Sequence, residues 1–165
     1  DPTYTAAYIN RGLAYTHLQD YERALKDYNE ALKLDPDNDI LHSHCGFAHV
    51  RLQQYKRALE AYAQAIAINP QNASAYNQRG LVHAKLADYA QAIVEYEKAI
   101  ALNPQYATAY YNAACAAALI GDEEQACTWL EKAIALDEKY ISMAQGDKDF
   151  EAICNAPDFQ ALTES

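Results

Sequence analysis

The chain repeats itself at one fixed interval, and that spacing constrains its fold more than any other property. Tyr8, Gly12, Tyr21, Ala24, Tyr28, Ala31 and Pro36 return as His42, Gly46, Tyr55, Ala58, Tyr62, Ala65 and Pro70. They return again as Tyr76, Gly80, Tyr89, Ala92, Tyr96, Ala99 and Pro104. A fourth pass gives Tyr110, Ala114, Glu123, Ala126, Trp129, Ala133 and Glu138, so the last copy has drifted. A period of roughly 34 residues marks a stacked array, in which each unit buries its apolar face against its neighbours rather than in one central core.

Each unit reads as a helix, a two-residue turn and a second helix. The first helices are predicted near 5–18, 39–52, 73–86 and 107–120, and the second near 21–34, 55–68, 89–102 and 123–136. Isolated helices of about 14 residues are marginal in water, so contacts between them must supply the stability. Gly12, Gly46 and Gly80 fall in the middle of first helices, where each costs roughly 0.5–1 kcal/mol relative to Ala. Close backbone approach to Ala24, Ala58, Ala92 and Ala126 on the second helices offsets that cost. Pro36, Pro70 and Pro104 end their units, because proline lacks a donor and disfavours helix at the residue before it.

The organisation expected is repeats at 5–38, 39–72, 73–106 and 107–140, followed by a capping segment at 141–165. In that last segment Phe150, Ile153, Phe159 and Leu162 suggest two short helices broken at Asn155-Ala156-Pro157. Asp1-Pro2 lies one full period before Asp35-Pro36, so residues 1–4 read as the tail of an earlier repeat and the chain as part of something longer.

Agreement of the small, aromatic and proline positions in three copies resembles the tetratricopeptide repeat family over Thr5–Tyr140. The resemblance implies an all-α fold, a right-handed superhelix (α-solenoid) of four antiparallel helix-turn-helix repeats that binds proteins in its concave groove. The first helices would line that groove, giving Ile9, Leu13, His17, Ser43, Phe47, Arg51, Asn77, Leu81, Lys85, Tyr111 and Asn112 as the binding face. Phe47, Leu81 and Tyr111 are its candidate anchors, Asn77 and Asn112 its polar contacts, and Arg51 and Lys85 its charges. Family members that clamp a chaperone's C-terminal carboxylate use Lys, Asn and Arg on successive first helices. The matching places here hold Ile9, Leu13, His44, Ser74 and Gln78, or Ser43, Phe47, Gln78, Thr108 and Asn112, so a chaperone tail is not the expected partner. Of the asparagine ladder used by other members, Asn10 and Asn112 remain, with His44 and Gln78 between them.

The remaining signals narrow the function. A net charge of -10 argues against a nucleic-acid partner, which needs a basic stripe. The acid is also segregated: the first-helix segments hold one carboxylate, Asp39. Arg11 stands as far from Asp27 as Arg79 does from Glu95, and base and acid are absent together from the other two units, so each is expected to pair across its hairpin. No apolar run approaches the roughly 20 residues that span a bilayer. Cys45, Cys115, Cys127 and Cys154 lack CxxC spacing and are expected to be reduced, buried small hydrophobes, which points to the cytoplasm. His42, Cys45 and His49 share a helical face but occupy packing positions, so no metal is assigned. With no phosphate loop, nucleophile elbow or zinc helix, neither catalysis nor a cofactor is expected. The reading is a non-catalytic protein-interaction module. The alternatives are a substrate-holding segment of a larger enzyme, or a self-assembling module whose C-terminal segment enters a neighbour's groove.

Overall fold

The computed structural model describes residues 2–163, and their regular elements are all helices, with no strand among them. Four helical hairpins come first: α1 (Pro2–His17) with α2 (Tyr21–Leu34), α3 (Asp39–Arg51) with α4 (Tyr55–Ile68), α5 (Ala73–Lys85) with α6 (Tyr89–Leu102), and α7 (Ala107–Leu119) with α8 (Glu123–Leu136). Then follow α9 (Lys139–Gly146), a 3-10 turn (Lys148–Phe150) and α10 (Pro157–Thr163).

The helices fall where the spacing places them, with two differences at the ends. Helix α1 begins at Pro2, ahead of the expected start, and proline suits a first helical position whose N–H would be unpaired anyway. Of the residues read as the tail of an earlier repeat, Asp1 lies outside the described residues, as do Glu164 and Ser165 of the C-terminal segment. In that segment the helix expected around Phe150 and Ile153 is instead a 3-10 turn followed by irregular turns, and α9 precedes it.

Every hairpin turns in the same way. Gln19, Gln53 and Ala87 take φ of 60, 59 and 58°, and Gly121 takes 81°. This left-handed residue ends the first helix, and the next residue's N–H returns to it: Asp20 to the Tyr15 carbonyl at 2.9 Å, Gln54 to His49 at 2.9 Å, Asp88 to His83 at 2.9 Å and Asp122 to Ala117 at 3.0 Å. Asp20, Asp88 and Asp122 then cap the second helix by accepting from Arg23, Gln91 and Gln125 backbone N–H groups, whereas Gln54 makes no side-chain cap.

Contacts divide the chain into two units, residues 1–82 and 83–165, with the boundary inside α5. In the first, α1 packs on α2, α2 on α3 and α3 on α4. The glycines permit this closeness: a Cβ on Gly12 would stand 2.6 Å from Tyr28 Cε1, and one on Gly46 2.7 Å from Tyr62 Cζ. Tyr28 and Tyr62 are thereby fully buried between helices. Arg11 donates from Nε and Nη2 to both carboxylate oxygens of Asp27 at 2.7 Å, the hairpin pair expected from the sequence. Asp39 accepts from Asn69 Nδ2 at 2.9 Å and Asn72 Nδ2 at 2.8 Å, tying the start of α3 to the turn after α4.

In the second unit α6, α7 and α8 pack in succession, and α9, the 3-10 turn and α10 close over α7 and α8. Phe150, Ile153 and Phe159 join Tyr111, Leu130 and Tyr140 in one buried cluster. Cys45, Cys115 and Cys127 are buried free thiols, as expected. Cys154 is not: it is exposed in the irregular turn, with Sγ donating to the Glu151 carbonyl at 3.2 Å.

Candidate functional site on the first-helix face

Positions three and four apart on α3 share one face, and Ile40, Ser43, His44 and Phe47 occupy it. Ser74, Ala75 and Gln78 do the same on α5, and between the two helices lies a cavity of about 320 Å³, completed by Asn72 and Tyr62. Phe47 is 38% exposed, and its ring meets Tyr21 edge-on at 6.3 Å. The Arg51 guanidinium sits over the same Tyr21 ring, 5.4 Å from its centre. His44 stacks on Tyr28 at 5.5 Å, and burial lowers its pKa, so it faces the cavity as neutral imidazole near pH 7. Tyr62 stands in the wall with its hydroxyl buried, and burial raises the phenol's pKa, so it stays protonated. The lining therefore carries donors and acceptors without a formal charge.

The structure brings only part of the expected face to the surface. Ser43 and Phe47 line the cavity, and His17, Arg51 and Lys85 are exposed. Ile9 and Leu13 are half-buried against the cluster around Tyr28 and Leu41, while Leu81 and Asn112 are also half-buried. Two assignments are overturned. Asn77, 2% exposed, faces the interior and offers no contact to a ligand. Tyr111, 5% exposed, is covered by its own chain: it stacks on Tyr140 at 4.8 Å, meets Phe150 at 5.8 Å, and donates its hydroxyl to Asp147 Oδ2 at 2.8 Å. The 3-10 turn thus occupies the part of α7 expected to take a partner.

Sequence reasoning missed Ile40, Asn72, Ala75 and Tyr62 as cavity residues. It also missed a second cluster, in which ligand atoms of Cys115, Asp147 and Asp149 lie within 4.8 Å of one another, the arrangement among the described residues most able to hold a metal ion. Here it serves packing. Asp147 accepts from Tyr111, from the Cys115 thiol at 3.8 Å and from the Asp149 backbone N–H at 3.1 Å. His42 and His49 are engaged elsewhere, with the Pro36 carbonyl at 3.0 Å and Gln54 at 2.8 Å.

The family models agree with this architecture. One described as tetratricopeptide repeat matches residues 5–38 and 73–106, a TPR repeat model matches 50–86, and a further tetratricopeptide repeat model matches 95–128. The chain belongs to the tetratricopeptide repeat family. Solved structures of similar fold include MamA from Desulfovibrio magneticus RS-1, from its residue 41 onward, at 22% identity and a TM-score of 0.82 over 98% of this chain and 90% of that one. PilF of Pseudomonas aeruginosa is similar at 22% identity and a TM-score of 0.83, over 99% of this chain and 73% of that one. The first TPR of Spaghetti (RPAP3), solved with the HSP90 peptide SRMEEVD, is 23% identical with a TM-score of 0.70, over 73% of this chain and 96% of that one. No curated protein sequence matches the chain. As a tetratricopeptide repeat protein it has the fold of a protein-interaction scaffold, and no helix among its described residues is long and apolar enough to cross a membrane.

Proposed function

We propose that this tetratricopeptide repeat chain is a non-catalytic interaction module that holds an extended segment of another protein against α3 and α5. The observation that carries the reading is the cavity between those helices, with Phe47 standing at its edge as an exposed aromatic beside a ring of uncharged polar groups. Exposed aromatic area flanked by hydrogen-bonding groups is what a peptide segment uses, and Arg51, stacked on Tyr21, supplies a charge at the rim. The RPAP3 relative, solved with a chaperone peptide, supports peptide recognition as a use of this fold. The ligand here differs from an acidic chaperone tail, because His44, Ser74 and Gln78 put no lysine or arginine at the clamp places.

Panning a displayed peptide library on the purified protein tests this. Selected peptides are expected to lose at least about tenfold in affinity, about 1.4 kcal/mol, on Phe47→Asp combined with Arg51→Glu. Glu60→Lys, on the second helix of the same hairpin, should leave binding unchanged. Peptides indifferent to the double change would place recognition on another surface.

A further inference from the structure

The cavity between α3 and α5 has a filled counterpart two repeats later. Ser43 and Phe47 on α3 correspond to Tyr111 and Cys115 on α7, and Asn72, in the turn after α4, corresponds to Tyr140 on α9. Around α7 the chain covers those places itself. Phe150 meets the Tyr111 ring edge-on at 5.8 Å, and Asp147 accepts from the Tyr111 hydroxyl at 2.8 Å and from the Cys115 thiol at 3.8 Å. An aromatic ring and a carboxylate from one short turn thus close that face. Among the described residues nothing closes the same face of α3: about 320 Å³ stays open, and Phe47 is left 38% exposed.

The open face asks for similar chemistry. His44, Phe47 and Tyr62 bring three rings to the cavity, beside Ile40 and Ala75. Tyr62 offers ring rather than hydroxyl, because its hydroxyl end lies against α3 at Gly46, buried and without a partner. The matching Tyr28 hydroxyl has Thr16 Oγ1 at 2.8 Å, and Val50 stands at the place of Thr16. Rings favour an incoming ring, which gains edge-to-face contacts that an aliphatic side chain lacks. Among the described residues no lysine, arginine, aspartate or glutamate lines the cavity, so a charge placed inside it would lose water without gaining a counter-charge. The counter-charge stands one helical turn beyond Phe47. Arg51 is exposed and held over the Tyr21 ring that Phe47 also touches, and no carboxylate among the described residues pairs with it. That turn measures about 5.4 Å, and alternate side chains of an extended segment share one face at about 6.6 Å spacing, as positions three apart do in a 3-10 turn. One acid suits the site and a run of them does not, since the chain's charge of -10 repels further negative charge. We propose that the α3–α5 cavity takes the aromatic ring of a partner segment that carries a carboxylate two residues away for Arg51. The proposal rests on the reading of this face as a peptide-binding surface and names the side chains it selects.

Blocked pentapeptides Ac-Ala-Phe-Ala-Asp-Ala-amide and Ac-Ala-Asp-Ala-Phe-Ala-amide, which cover both chain directions, test it by titration into nitrogen-15-labelled protein. At least one is expected to shift amide signals of residues 40–51 and 74–78. In the tighter of the two, leucine in place of phenylalanine should weaken binding roughly two- to tenfold, and alanine more. Asparagine in place of aspartate should weaken it roughly two- to fivefold, as expected for an exposed ion pair. Arg51→Gln should remove the preference for aspartate while keeping that for phenylalanine, and about 0.5 M NaCl should do the same to the unsubstituted protein. A thermal melt establishes that the variant is folded. Failure of both peptides to shift those signals, equal binding of the leucine peptide, or an aspartate preference that survives Arg51→Gln overturns the proposal. If library peptides that depend on Phe47 and Arg51 contain no aromatic with an acid two residues away, the interaction surface stands and this assignment falls.

Discussion

At the scale of single residues, two positions show how closely the repeat is specified. A methyl group on Gly46 would meet the Tyr62 ring at 2.7–2.9 Å, and a ring wedged between helices has no flexible end to move aside. Gly46→Ala is therefore expected to lower stability in urea titrations by about 1–3 kcal/mol, even though alanine favours helix. Ala87 is the converse case. Its φ of 58° is costly for any side chain, by roughly 1–2 kcal/mol, and the fourth turn already uses glycine at the matching Gly121. Ala87→Gly should stabilise by about 0.5–1 kcal/mol after the entropy of the freer unfolded chain is set against it, measured in the same titrations. The Arg11–Asp27 pair was legible beforehand because acid and base occur together in the sequence. The left-handed turn was not, since Gln19, Gln53 and Ala87 are ordinary residues that carry no mark of it. Nor was the orphaned Tyr62 hydroxyl singled out, although the exchange of Thr16 for Val50 is visible on comparing adjacent repeats.

At the scale of elements, the eight hairpin helices follow from the period, because helical spacing and proline punctuation agree in three successive copies. The C-terminal elements repeat nothing, and their partners belong to a distant stretch of the chain, as with Asp147 and Tyr111. For that reason their arrangement on α7 could not be read from local pattern. Their packing also holds a strained charge. Burial, and then the nearby Asp147, raise the pKa of Asp149. A carboxyl group whose folded pKa is raised binds its proton more tightly in the folded chain, so its favourable contribution is present at low pH and is lost as pH rises through that folded pKa. Asp149→Asn keeps the shape and the backbone N–H that meets Asp147 while removing the charge. It is expected to raise the melting temperature near pH 7 by about 1–3 °C, allowing for solvent screening, and to give no gain near pH 3. Calorimetry at the two pH values reads the difference.

For the whole molecule, charge is the property that remains. With a net charge of -10 and acid spread over the second helices, the turns and the C-terminal segment, like charges repel one another along the chain. Raising ionic strength from about 0.01 M to about 0.15 M shortens the screening length from ~30 to ~8 Å, and the melting temperature should rise with added NaCl. A fall would mean that pairs such as Arg11–Asp27 outweigh the repulsion. The placement of the 3-10 turn bears on recognition as well. With Asp147 and Phe150 already seated on Tyr111, that part of α7 is covered, and on the function proposed above a partner would be held at α3 and α5. The footprint is correspondingly short, favouring a compact linear motif over a long ribbon of contacts.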